Sequence, residues 1–137
     1  MPVGMLTREA DHLMEVLLLG HPKSAATRKA QRFFSERRIP FHDRDLRKRG
    51  ASPNELRRWV DKLGVDAVVD PTSRPYVEQG LEYLSADVDD WLEHFCQEPL
   101  LMRLPLVRIG QLLSVGEDVD AWTAICDAAR AEGSPPG

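Results

Sequence analysis

The residues of this chain best suited to chemistry stand together in one short stretch, His21-Pro22-Lys23-Ser24-Ala25-Ala26-Thr27-Arg28. Lys23 and Arg28 are cationic donors, and Ser24 and Thr27 carry hydroxyls. If Ser24 begins a helix, the free N–H groups of the first turn point at whatever sits above the loop. Such an end suits an anion or a thiolate. A serine hydroxyl there stays protonated unless a general base removes its proton. His21 in the loop and His42 further along are the two histidines that could approach it, yet no Ser-His-Asp arrangement is evident. Ser24 is therefore expected to cap the helix, accepting a bond from an orphan backbone N–H. Thr27 and Arg28 either serve the same first turn or line an anion pocket.

The elements that must position this stretch can be read from the apolar pattern. Residues 16–19 are all apolar and Gly20 closes the run, which predicts a buried strand. After the loop, Ala26, Ala30, Phe33 and Phe34 recur at helical spacing, with Arg28, Lys29, Arg32 and Glu36 mostly on the other side. Pro40 ends that helix, because proline disfavours helix for the residue before it. Residues 41–46 read as a second strand, followed by a turn at 47–50. Ser52-Pro53-Asn54-Glu55 is a capping box with proline at the first helical position, the clearest helix start in the chain. Leu56, Trp59, Val60 and Leu63 give that helix its apolar face, and Gly64 ends it.

Residues 65–84 are less regular, broken by Pro71, Pro75 and Gly80. Val88, Trp91, Leu92 and Phe95 then make a third amphipathic face, terminated by Pro99. Residues 100–108 read as a strand that turns at Gly110-Gln111 into a hairpin partner at 112–115. Val119, Trp122, Cys126 and Ala129 mark a last helix. The expected organisation is an N-terminal arm at 1–14, one domain at 15–131, and a loose tail at 132–137.

At 137 residues the chain can bury one core without metals or disulfides. No apolar run approaches the ~18 residues of a membrane helix, and no export signal is expected at the N-terminus. Cys96 and Cys126 show no secreted disulfide pattern, which favours a reducing cytoplasm. Both read as small buried hydrophobes, and Trp59, Trp91 and Trp122 as packing residues. The net charge of −4 hides an asymmetry: residues 28–58 hold 11 of the 18 Lys and Arg against four acids. With no aromatic interleaving or nucleic-acid motif, direct nucleic-acid contact is not expected. Arg32, Arg37, Arg57 and Arg58 are expected to solvate exposed helix faces. No metal-ligand spacing occurs.

The chain runs in the order strand–xPxSxxTRKAxxFF–IPFxxRDL, and its most specific pieces are TRKAQRFF, PYVEQGL and PLLMRLPLVR. This resembles the arsenate reductase-like branch of the thioredoxin fold, which includes ArsC and the redox regulator Spx, over roughly residues 15–125. The resemblance implies a βα-βα-helices-ββα order: a four-stranded mixed sheet with flanking helices and an inserted helical segment. It puts Ser24 where those relatives carry the nucleophilic cysteine, with Pro22, Thr27 and Arg28 retained. It puts Asp70, Leu104 and Val115 where arsenate reductases carry oxyanion-holding arginines, with Arg74 and Arg103 close by. It also implies a cis Leu104–Pro105 bond, with Pro105 facing the loop and shaping a groove for extended peptide or glutathione.

Two functions follow from the resemblance. One is a non-catalytic, Spx-like regulatory domain that binds a protein partner through Lys23, Ser24, Thr27, Arg28, Arg103 and Pro105, or through the basic segment. The other is a glutathione- or glutaredoxin-linked oxidoreductase of the arsenate reductase family. A third option is an anion or glutathione binder without catalysis, glutathione being the one cofactor considered.

Overall fold

The computed structural model describes residues 15–84 and 86–133. The arm expected at 1–14 and the tail residues from 134 onward lie outside the described residues. Strand β1 (Val16–Gly20) is central and covered on both faces, which is why its sequence is an unbroken apolar run instead of an alternation. Beside it lie β2 (Phe41–Asp45), parallel, and β3 (Leu106–Ile109), antiparallel; β4 (Leu112–Val115) pairs antiparallel with β3. The sheet order is β2-β1-β3-β4, the expected four-stranded mixed sheet. Gly110, at φ +54°, supplies the left-handed turn residue of the β3–β4 hairpin.

Helix α1 (Ala25–Glu36) and the last helix, α6 (Val119–Gly133), cover one face of the sheet. Their core joins Ala30, Phe33 and Phe34 to Trp122, Ile125 and Cys126 over Val16, Leu18, Val107 and Ile109. On the other face lie α2 (Pro53–Leu63) and α5 (Val88–Gln97), with the short α3 (Val65–Val68) and α4 (Arg74–Glu78) between them in sequence. Here Leu56, Trp59, Leu92 and Phe95 pack over Leu19 and Leu106.

The capping box at α2 forms in full: the Ser52 side chain accepts from Glu55 N, and the Glu55 carboxylate accepts from Ser52 N. Glu55 also holds Arg44 of β2 through two bonds of 2.5 and 2.8 Å, fixing the start of α2 to the edge strand. The Arg44 hydrogen bonds are the main reason the Glu55 carboxyl titrates low, at about 2.

Three expectations need correction. The second strand stops at Asp45, with Leu46 buried just beyond it. Residues 100–108 are not one strand: Pro99–Leu101 is a 3-10 turn, Met102 bridges to Val69, and β3 starts only at Leu106. Pro105 has no N–H to give a ladder, so pairing with β1 cannot begin before it. Leu63, Val88 and Val119, assigned to apolar faces by periodicity, are exposed because each sits at a helix end.

Candidate functional site

The loop between β1 and α1 is tied down almost wholly by its own residues. Ser24 N donates to His21 O at 2.9 Å, and Lys23 N donates to His21 Nδ1 at 3.1 Å. The Arg28 guanidinium reaches back to Pro22 O at 2.6 Å. Thr27 is buried, and its Oγ1 accepts from His21 N at 3.4 Å. Gly20 permits this closeness, since a Cβ there would overlap the Thr27 methyl group. His21, which sequence reasoning offered as a base, is therefore a buried acceptor in the loop backbone.

Ser24 is the N-cap of α1, with extended backbone, and its Oγ accepts from Thr27 N at 3.0 Å. The same Oγ donates to Leu104 O at 3.4 Å, joining the loop to the segment before β3. No histidine or carboxylate bonds to it among the described residues. His42 is exposed on β2, 3.7 Å from Glu15.

Beside Ser24 opens a cleft of about 600 Å³. Lys23 and Ser24 line it from the loop, Asp70 and Arg74 from the inserted helical segment, and Arg103 and Leu104 from the approach to β3. Val115 and Glu117 close it from the end of β4. All three positions where the resemblance put oxyanion-holding arginines, Asp70, Leu104 and Val115, thus meet at Ser24. None carries a guanidinium, and a carboxylate repels a divalent oxyanion where a guanidinium would clamp it.

The charges at the cleft are largely committed elsewhere. Asp70 Oδ1 accepts from Thr72 N and Thr72 Oγ1 at 2.9 and 2.6 Å, shaping the turn into α4. Glu117, which sequence reasoning missed, pairs with Lys29 at 2.6 Å. Arg74 stands 3.6 Å from Glu78. Arg103 gives its backbone N–H to Val68 O at 2.7 Å and its Nε to Val69 O at 3.0 Å, and its two outer nitrogens make no further hydrogen bond among the described residues.

Of the six residues expected at the site, Lys23, Ser24 and Arg103 share this cleft. Thr27 and Arg28 border a separate recess of about 230 Å³ with His21 and Asp43. Pro105 is buried, and the Leu104–Pro105 bond is cis, as the resemblance implies. Its carbonyl accepts from Gly116 N at 3.0 Å, which seats the end of β4 at the cleft.

A sequence model of the ArsC family matches residues 19–125. The chain belongs to the ArsC family. Solved structures give the same fold. The YffB protein is 20% identical, with a TM-score of 0.74 over 81% of this chain and 98% of its own. An arsenate reductase from Vibrio cholerae is 21% identical, with a TM-score of 0.72 over 82% of this chain and 98% of its own. An arsenate reductase (ArsC) related protein from Brucella melitensis is 16% identical, with a TM-score of 0.61 over 80% and 92%. The architecture is thioredoxin-like, a four-stranded mixed sheet with flanking helices.

In this ArsC-family chain the two thiols lie away from the cleft. Cys126 is buried on the inner side of α6, and burial is the first cause of its raised pKa. Cys96 is half-buried on α5; burial, then the charges of Glu93 and Glu55, push its thiol up. Both are held toward the unreactive thiol form. Among the described residues no helix is long and apolar enough to cross a membrane, and no group of side chains is arranged to hold a metal ion.

Proposed function

We propose that this chain is a non-catalytic member of the ArsC family, a regulatory domain that receives a protein partner in the cleft beside Ser24. One observation carries the reading. The Ser24 hydroxyl is occupied on both sides by backbone groups, Thr27 N and Leu104 O, with no base bonded to it. An oxygen so placed caps a helix and joins two segments; nothing prepares it to attack.

Asp70, Leu104 and Val115 at the arginine positions support the same reading, because the cleft lacks a convergent guanidinium clamp. What remains is a groove bounded by Leu104 and the end of β4, a shape that suits an extended peptide. An Spx-like role is the regulatory form considered; shared fold alone does not carry it. The unpaired cysteines support a reducing, cytoplasmic setting.

A second reading is a non-catalytic anion or glutathione site, favoured by the free edge of Arg103 and by Lys23 at the same cleft. The remaining alternative, a glutathione- or glutaredoxin-linked oxidoreductase, needs a reactive thiol that neither Cys96 nor Cys126 offers at the cleft.

The test is NADPH consumption with arsenate or a model disulfide as substrate, in the presence of a glutaredoxin or thioredoxin recycling system. The expected rate equals that of heat-killed protein. Turnover above that control, abolished by Ser24→Ala, would restore the enzyme.

A further inference from the structure

The sheet has a second recess, beside β1 and β2 on the α2 face. Side chains alternate between the faces of a strand, and the two cores fix which residue goes where. Val107 and Ile109 pack under α1 and α6, whereas Leu106 packs under α2 and α5. Arg108, between Val107 and Ile109, therefore falls on the α2 face. His42 and Arg44 of β2 fall there too, in register with Leu17 and Leu19 of β1. Arg108 is paired with the same Leu17, so it lies across β1 from His42.

This recess has a volume of about 650 Å³, and Arg44, Lys48, Arg49, Glu55 and Arg108 line it around Leu17. Asp43 and Asp45 also border it. Alternation places them on the opposite face, however, where Gln31 of α1 bonds Asp43 at 3.0 Å and Arg47 bonds Asp45 at 3.2 Å. The carboxylate that remains on the α2 face, Glu55, is already filled by both arms of Arg44.

Arg108 is the anomaly. It is the one cation in an otherwise apolar strand of the sheet interior, it is half-buried, and it has no hydrogen-bond or ion-pair partner among the described residues. Burial first, then the positive charge of Arg58 on α2, weakens its hold on a proton, and the charge of Glu55 offsets this in part. A partly desolvated guanidinium with no carboxylate bonded to it among the described residues costs stability that an apolar residue would not. A bound anion removes that cost.

We propose that this recess is a binding site for a small ligand bearing a phosphate or pyrophosphate group, held by Arg108 together with Lys48 and Arg49. The planar fork of arginine matches phosphate oxygens, and the two neighbouring cations match a group with more than one negative charge. The volume is that of a small-molecule site. A nucleic-acid strand fits less well, because no Phe, Tyr or Trp lines the recess to stack a base.

Isothermal titration calorimetry of the full chain with inorganic pyrophosphate, at fixed ionic strength, tests the site. Saturable binding is expected, weakened about tenfold or more by Arg108→Gln and several-fold by the double variant Lys48→Gln/Arg49→Gln. Arg103→Gln, at the Ser24 cleft, should leave it unchanged. The Lys48/Arg49 change is confined to exposed residues of a turn, so it decides the matter if Arg108→Gln fails to fold. No heat of binding at millimolar pyrophosphate, equal affinity in the Lys48/Arg49 variant, or loss on Arg103→Gln instead would overturn the proposal.

Discussion

The cleft beside Ser24 and the recess around Arg108 both adjoin the central strand, and they use their polar groups in opposite ways. Beside Ser24 the side chains that look like chemistry serve the backbone: Ser24 caps α1, Thr27 and His21 brace the loop, and Arg28 holds Pro22 O. Around Arg108 a guanidinium sits half-buried with no hydrogen-bond or ion-pair partner among the described residues. The lesson concerns inheritance of a fold. A helix end can serve as scaffolding alone, since capping stabilises the helix by about 1 kcal/mol whatever the loop is for. A half-buried guanidinium that no acceptor holds among the described residues has no such structural reason to persist, which makes it the better pointer to a ligand.

The comparison can be broken first at Gly20. If the Ser24 loop is scaffolding, its packing against β1 matters more than any exposed hydroxyl or amine. Gly20→Ala drives a methyl into buried Thr27, and should lower the unfolding free energy by about 1–3 kcal/mol, the usual cost of overpacking. Urea unfolding followed by tryptophan fluorescence measures it. A neutral result would mean the loop moves freely, and with it Ser24.

A change at Glu55 sharpens the other half. Glu55→Gln removes the charge that occupies Arg44 and weakens the reciprocal cap at Ser52. A loss of about 1–2 kcal/mol is expected at neutral pH, modest because the pair is partly exposed. The sign with pH follows from the low carboxyl pKa. With the folded value at about 2 against an ordinary 4.5, the stabilisation is full above the ordinary value and disappears as pH falls through the folded one. Wild type should therefore lose stability across that acid window, and the Gln variant should lose less. The variant also frees Arg44 and should tighten pyrophosphate binding, an outcome the Arg108 proposal requires and the Ser24 cleft would not produce.

Much of this fold was legible in the sequence, for identifiable reasons. The uninterrupted run at 16–19 signalled a strand covered on both sides, and Ser52-Pro53-Asn54-Glu55 marked a helix start that forms with both of its bonds. Residues 100–108 read as one strand because they form a nearly continuous apolar run, while Pro105 decides where the ladder can start. At the site, Lys23, Ser24 and Arg103 line one cleft, although Arg103 is far from the loop in sequence. That Thr27 and Arg28 border a different recess could not be read from spacing, since which way a first-turn side chain faces depends on what packs beneath it. Here Thr27 is drawn inward by the absence of a side chain at Gly20. Arg108 was visible as a lone charge between Val107 and Ile109, but only the register with β1 shows which face it occupies and what surrounds it.

The most direct measurement is the intact mass of the wild-type protein, taken while it is incubated with arsenate, glutathione and a glutaredoxin. The Ser24 hydroxyl, bonded to backbone on both sides, should leave the polypeptide at its unmodified mass throughout. A glutathione or arsenic adduct that forms during incubation and maps to Ser24 would contradict this account.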